Sequence, residues 1–132
     1  MGVELSAPAR GVMVWAILAE QGRSGVAARV RRDNDLARRL TDLAVAHPRL
    51  EALTDPDLSI ACIRYVRDDI DDLDRLNSDL LRRVRRETEF LPSSTLVGNR
   101  VVIRPCFMNV RTSPDQIDAF ASTMVELGDG MS

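Results

Sequence analysis

The sequence predicts an α+β fold in which a small antiparallel or mixed sheet is covered on one face by helices. Three observations support this. Stretches with helical apolar spacing are separated by short runs rich in β-branched residues, turn residues lie between them, and the amphipathic helices suffice to cover only one sheet face. The predicted order is α-α-β-β-α-β-β-α, and the 132 residues are short enough to form a single domain, 1–132.

Four helices are predicted from apolar periodicity and from residues that start or stop a helix. The apolar segment 11–19 is interpreted as a buried helix that ends at Gly22. The last helix starts with a capping box at Ser113 and Gln116 and ends at Gly128. The predicted helices cover about residues 8–20, 24–46, 69–87 and 113–128.

Four strands are predicted at about residues 50–53, 58–66, 95–97 and 100–107, the last two joined by a turn at Gly98–Asn99. Alternation along the last strand places Val101 and Ile103 on the helix-covered face, and Arg104 on the opposite face. Pro105 cannot donate to a ladder, so this strand is predicted to be at an edge or bulged.

Arg104 is the candidate site residue. A guanidinium held on a strand beside apolar neighbours is suited to two-pronged binding of a carboxylate or phosphate. The alternative, favoured by spacing alone, is a structural salt bridge to one of the 20 acidic residues.

Composition excludes several functions. The net charge of −2 and the 4% aromatic content argue against nucleic-acid binding. All 18 basic residues are arginines, so no side chain can form a Schiff base with a carbonyl compound. Cys62 and Cys106 are expected to be reduced, and His47 lacks the neighbours of a metal site. No targeting or membrane signal is visible, so the cytoplasm is the expected location.

Several motifs, in order, resemble the C-terminal part of the group II pyridoxal-phosphate (PLP)-dependent amino-acid decarboxylases, which include aromatic-L-amino-acid and glutamate decarboxylases. The resemblance runs from about residue 5 to residue 127. The motifs are "SAPARGVMVWAILAEQGRSGVAARV", "LSIACIRYV", "LNSDLLRRV" and "FLPSSTLVGNRVVIRPCFMNVRTSPDQIDAF".

The resemblance implies a fold-type I enzyme that works as a dimer with PLP. Residues 1–47 would be connecting helices and residues 48–132 the C-terminal α/β small domain. Arg104 matches the arginine near the substrate carboxylate, whereas Asn109 and Arg111 match an "N-x-R-T" pattern whose role is structural. Arg10 and Trp15 match positions in the connecting helix. The family's cofactor lysine and its large cofactor-binding domain are absent from this chain.

Two functions are therefore considered. The chain is the C-terminal domain or a fragment of a PLP-dependent decarboxylase (a carboxy-lyase), inactive alone and dependent on a cofactor-bearing large domain in the same or a separate chain. Alternatively, it is a non-enzymatic α+β module that dimerises or binds a carboxylate. A homo-oligomer is expected in either case, with no nucleic-acid or membrane partner.

Overall fold

The computed structural model describes residues 9–56 and 58–131 and divides the chain into two compact units, residues 1–31 and 32–132. Helix α1 runs through the end of the first unit into the second, which also holds the remaining helices and all the strands of the described part. The elements are α1 (Arg10–Ala46), β1 (Leu50–Ala52), β2 (Ile63–Tyr65), α2 (Leu73–Glu87), β3 (Ser93–Val97), β4 (Arg100–Arg104) and α3 (Pro114–Asp129). The predicted α+β class is confirmed.

Gly22 interrupts α1. Its φ of 66° and ψ of 173° lie outside the helical region, in a conformation that residues with a Cβ rarely adopt. The two predicted helices are therefore present as two helical segments that meet at this glycine without a loop. The predicted helix start at Pro8 and the side chain of Arg10 lie outside the described residues.

The apolar segment 11–19 is not buried, contrary to the prediction. Large apolar side chains that point in every direction around the helix are between 45% and 70% exposed: Val12, Met13, Val14, Trp15, Ile17 and Leu18. One helix cannot cover its own circumference, so burial of this exposed apolar segment (residues 12–18) requires another surface. No helix among the described residues is long and apolar enough to cross a membrane.

The sheet has the strand order β1-β2-β4-β3, and each neighbouring pair is antiparallel. The prediction that β4 is an edge strand is wrong, because β4 lies between β2 and β3. Its pairing with β2 keeps one register from Ile63–Ile103 to the isolated bridge Ile60–Cys106, so Pro105 introduces no bulge. Pro105 follows the last β3–β4 pair and lies opposite Ala61 in the β2–β4 register. Ala61 N donates to the Pro105 carbonyl oxygen at 3.3 Å, but Pro105 has no N–H to return the bond, so the β2–β4 ladder is interrupted there.

Side chains of the helices set where two elements stop or start. Strand β2 ends at Tyr65, where the Asn77 side chain, and not β4, hydrogen-bonds the Tyr65 backbone. It starts later than predicted, at Ile63, because its pairing with β4 is broken at Pro105. Helix α2 starts later than predicted because Asp72 is its N-cap, accepting a hydrogen bond from Arg75 N at 2.9 Å. The aspartates that precede Asp72 lie outside the helix.

The capping box of α3 is confirmed. Ser113 N donates to Gln116 Oε1 at 3.0 Å, and Gln116 N donates to Ser113 Oγ at 3.4 Å. The helix continues past Gly128 to Asp129, with Gly130 as its C-cap. Gly128 has a packing role, because a Cβ at this position would lie 2.6 Å from the Tyr65 ring.

The core lies on one face of the sheet, as predicted. Ile63, Tyr65 and Ile103 contribute the sheet side, and each is fully buried. The helices contribute the other side through the end of α1, α2 and α3. The core residues of these helices are Leu36, Ala37, Leu40, Ala44, Leu76, Leu80, Leu81, Val84, Ile117, Phe120, Ala121 and Met124.

Candidate carboxylate-binding site around Arg104

Arg104 is the last residue of β4, and its partly buried side chain is held by the neighbouring strand. Ser93, its partner on β3, donates from Oγ to the Arg104 carbonyl oxygen at 2.9 Å, and the same Oγ accepts from Arg104 Nε at 3.1 Å. Within the described part of the chain, neither Nη group forms a hydrogen bond or an ion pair. The guanidinium is thus oriented by one hydroxyl and keeps two donor groups available.

Arg104 is one of three arginines on the sheet face opposite the core. Alternation along β4 places Arg100 on the same face, and the antiparallel register places Arg64 there too. Arg100 Nη1 pairs with Glu51 at 2.8 Å, and Arg64 Nη2 pairs with Asp74 at 2.8 Å. Of the three, Arg104 alone has no carboxylate partner among the described residues. Arg104 therefore does not form, among the described residues, the structural salt bridge that was the alternative prediction.

Asp74 connects three elements beside this site. Its Oδ1 accepts from Arg64 Nη2 on β2 and, at 3.0 Å, from the backbone N–H of Val101 on β4. The Arg64 side chain is only 6% exposed, and its buried Nε has no hydrogen-bond partner in the described structure. The Asp74 carboxylate compensates the buried charge of Arg64. Removing Asp74 would leave that charge buried without a partner, which would destabilise the fold. Arg64 and Asp74 were not singled out by sequence reasoning.

The turn after β4 is held by Arg32, which lies in α1. Arg32 Nη2 donates to the Val110 carbonyl oxygen at 3.0 Å and to the Thr112 carbonyl oxygen. Asn109 contributes as its motif predicts, with Oδ1 accepting from Arg111 N at 3.0 Å. The Arg111 side chain is exposed and forms no hydrogen bond within the described part. Arg32, about 80 residues earlier in the sequence, therefore holds this turn against α1, the structural role that the motif suggested for Arg111.

The other sequence candidates have no metal or disulfide arrangement. Cys62 is buried and Cys106 is exposed, and both are free thiols. His47 Nδ1 accepts from Arg49 N at 3.1 Å, a local contact that stabilises the end of α1. No group of three potential metal-ligating side chains occurs among the described residues.

The strongest perturbation of a titratable group lies away from Arg104. Burial, and then the hydrogen bond from Tyr65 Oη to Asp129 at 2.5 Å, raise the pKa of Tyr65 to about 12. The hydrogen bond from Arg67 lowers the pKa of Asp69 to about 2. Arg67 also donates to the Met131 carbonyl oxygen, so these groups fasten the end of α3 to the residues after β2. Their perturbed pKa values reflect structural ties.

Known structures match this chain, although no protein-family model does and no curated protein gives a significant match. Oryza sativa TDC, crystallised with PLP and tryptamine, matches with a TM-score of 0.87 and 19% identity over 98% of this chain. Catharanthus roseus tryptophan decarboxylase in complex with L-tryptophan matches with a TM-score of 0.83 and 20% identity over 92%.

The glutamate decarboxylase domain of diaminobutyrate-pyruvate transaminase and L-2,4-diaminobutyrate decarboxylase from Vibrio parahaemolyticus matches with a TM-score of 0.81 and 17% identity over 89% of this chain. The matches cover 28%, 26% and 25% of the three known chains, respectively. The resemblance to PLP-dependent decarboxylases is thus confirmed for the fold, and this chain corresponds to a small part of those proteins.

Proposed function

We propose that the chain acts as the C-terminal part of a PLP-dependent amino-acid decarboxylase of fold type I. Residues 1–47 would connect to the large domain, and residues 48–132 would form the small domain. The observation that carries the proposal is the match of 98% of this chain, at a TM-score of 0.87, to a protein crystallised with PLP. The motif resemblance supports it independently, since it rests on residue identities and not on backbone shape.

The part that this chain plays in the reaction is to bind the substrate's carboxylate through Arg104. A carboxylate accepts two parallel hydrogen bonds from a guanidinium, and Arg104 has both Nη groups available in the described structure. Ser93 positions the plane of the guanidinium from the Nε side. The position at the end of a central strand restricts the arginine backbone, which lowers the entropy lost on binding.

The residues of this chain do not fit covalent attachment of PLP, because the chain has no lysine. We therefore assign no cofactor-binding residue to it. A cofactor-bearing large domain, in the same or a separate chain, would supply the lysine. The 132 residues alone would then be inactive.

The exposed apolar segment is the surface that such a large domain would cover. Trp15 is 69% exposed and Met13 is 70% exposed, which is unfavourable for side chains of this size in water. Because they lie on different sides of the helix, two surfaces are needed to bury them, one from the large domain and one from a second subunit. The proposed assembly is therefore a homo-oligomer.

Complementation tests this function. If a neighbouring gene encodes a lysine-bearing large domain, that domain is loaded with PLP and mixed with this chain, and release of carbon dioxide from L-amino acids is measured. We expect activity from the mixture and none from the 132-residue chain alone. A mixture that neither associates on sedimentation nor releases carbon dioxide would contradict the proposal.

A second function, a carboxylate-binding module without enzymatic activity, is favoured by one observation. The Nη groups of Arg104 are available without any other domain. Titration of the isolated chain with benzoate, followed through the Arg104 Nε–H resonance, separates the two functions. Saturable binding by the chain alone, together with failed complementation, would favour the module.

A further inference from the structure

A cavity lies at the end of the sheet where β4 stops, on the side that carries the helices. It has a volume of about 390 Å³, within the range typical of sites for small ligands. The loop after α2 and the start of α3 form its walls together with the residues after Arg104. We call it the Phe120 cavity, defined by the lining residues Glu89, Phe90, Cys106, Phe107, Ile117 and Phe120.

The apolar part of the Phe120 cavity is preformed. Phe107, Ile117 and Phe120 belong to the core and are at least 93% buried. The Phe90 and Phe120 rings are 5.2 Å apart and meet edge to face at 70°, a favourable arrangement that fixes both rings. A ligand with a ring-sized apolar group can therefore enter without rearranging the core.

The charge of the Phe120 cavity is negative. Among the described residues that line it, only Glu89 is charged, and its carboxylate forms no hydrogen bond or ion pair in the described part. The nearby arginines of α2 are engaged elsewhere: Arg83 and Arg86 both pair with Glu87, and Arg85 Nε donates to the Pro92 carbonyl oxygen at 2.7 Å. Glu89 is thus available to a cation at the mouth of the cavity.

Two side-chain amides near the cavity could instead favour a ligand that accepts hydrogen bonds. Asn109 and Gln116 each use their oxygen as an acceptor from a backbone N–H, which leaves their NH₂ groups as donors. These donors are neutral, however, and a hydrogen bond with an ionised partner is roughly twice as strong as a neutral one. Glu89 therefore decides the sign of the preferred ligand, and the aromatic rings add cation–π attraction.

The geometry points to a binding site for amines with a ring-sized apolar body. The body lies in the cavity against the packed Phe90–Phe120 pair and Phe107, and the protonated amine pairs with Glu89. The cavity begins at Pro105 and Cys106, directly after Arg104, but neither Arg104 nor Ser93 lines it. Its occupancy does not depend on the proposed function, since no residue of the two sites is shared.

Cys106 provides a reporter for this site. Its exposed thiol lines the cavity, whereas Cys62 is buried and serves as an internal reference. The 132-residue chain is alkylated with iodoacetamide in the presence of phenethylamine, 2-phenylethanol or phenylacetate, and both cysteine peptides are quantified by mass spectrometry. We expect phenethylamine to slow alkylation of Cys106 at the lowest concentration and phenylacetate at the highest.

The Glu89→Gln variant tests the role of the charge. We expect it to weaken phenethylamine binding about fivefold, the size of an exposed ion pair, and to leave 2-phenylethanol binding unchanged. Glu87→Gln is the matched control, because Glu87 is on the same segment but does not line the cavity. NMR shifts of the Ile117 and Phe120 amides locate the ligand independently of the thiol. Equal or stronger protection by phenylacetate, no protection by any probe, or equal effects of the two variants would overturn the assignment.

Discussion

The side chain of Asn77 hydrogen-bonds both backbone polar groups of Tyr65. Asn77 Oδ1 accepts from Tyr65 N and Asn77 Nδ2 donates to Tyr65 O, each at 2.8 Å. Asn77 is fully buried, and its Nδ2 also donates to the Leu73 carbonyl oxygen at 2.8 Å. One amide thereby replaces the strand that would otherwise pair with β2 at this point, and it attaches α2 to the sheet.

Replacing Asn77 by alanine should destabilise the fold strongly. The change leaves the N–H and C=O of Tyr65 buried without partners, and each such group costs about 1–3 kcal/mol. We expect a loss of about 3 kcal/mol in the free energy of unfolding, measured by urea denaturation. Ser78→Ala, on the same helix, removes only a local bond to the Asp74 carbonyl and should change the stability by less than about 0.5 kcal/mol. Similar losses in the two variants would refute this role of Asn77.

Gly128→Ala should also destabilise the protein, although alanine is the better helix former. The new Cβ would lie 2.6 Å from the Tyr65 ring, which is fully buried and held by Asp129. We expect a loss of about 1–3 kcal/mol from overpacking. Gly130→Ala is the control, because its nearest neighbour is the end of the Arg83 side chain at 3.4 Å. Thermal unfolding of the two variants distinguishes a clash from a general effect of alanine.

Arg32→Ala should loosen the turn after β4 more than Arg111→Ala does. Arg32 donates to two carbonyl groups of the turn, whereas the Arg111 side chain is exposed. We expect a loss of about 1 kcal/mol for Arg32→Ala and faster hydrogen exchange at the Thr112 amide. Arg111→Ala should change the stability by less than about 0.5 kcal/mol. A larger loss for Arg111→Ala than for Arg32→Ala would show that Arg111, and not Arg32, stabilises this turn.

Alkaline unfolding should follow the ionisation of Tyr65, the only tyrosine of the chain. Its pKa is raised from 10.0 to about 12 in the folded state, first by burial. The folded state therefore holds the phenol proton more tightly, so this stabilisation is complete below pH 10 and is lost as the pH rises from 10 to about 12. Phenolate absorbance should titrate near pH 12 in the native protein and near pH 10 in denaturant. Tyr65→Phe should remove this part of the pH dependence; if it persists unchanged, another group is responsible.

Arg104→Ala should separate function from folding. Because Arg104 has only the Ser93 hydroxyl as a side-chain partner within the described chain, we expect a stability loss of about 1 kcal/mol or less. In the complemented enzyme the loss of a charged, two-pronged contact should lower the rate about 10- to 100-fold. Arg104→Lys should restore only part of it, because an ammonium lacks the planar fork. Unfolding of Arg104→Ala, with activity per folded molecule unchanged, would make Arg104 a structural residue.

Features that depend on neighbouring residues were predictable from the sequence. The capping box at Ser113, the Gly98–Asn99 turn and the break at Gly22 were all predicted correctly, since each depends on the backbone preference of a few adjacent residues. Asn99 has a φ of 63° and Gly98 a φ of 56°, the left-handed conformations that this turn requires.

Features that depend on distant contacts were not predictable. Pro105 was correctly interpreted as a limit to strand pairing, but the central position of β4 depends on β2, which lies about 40 residues earlier. The pairing of Arg32 with the turn and of Arg64 with Asp74 likewise follows from the fold. Periodicity identifies which face an arginine occupies, whereas its partner is fixed only when the chain has folded. For Arg104, spacing alone therefore favoured a structural salt bridge, and only the resemblance to the decarboxylases favoured carboxylate binding.

The break at Gly22 has a consequence for the folding of the first helical segment. The segment between Arg10 and Gln21 is shorter than the length at which an isolated helix becomes stable in water, and the glycine prevents it from simply extending the helix that follows. Its helix–coil equilibrium is therefore governed by whatever surface covers Trp15 and its neighbours. Trypsin cleavage at Arg23 would report that equilibrium, with rapid cleavage when the segment is uncovered and protection once an assembly forms around it.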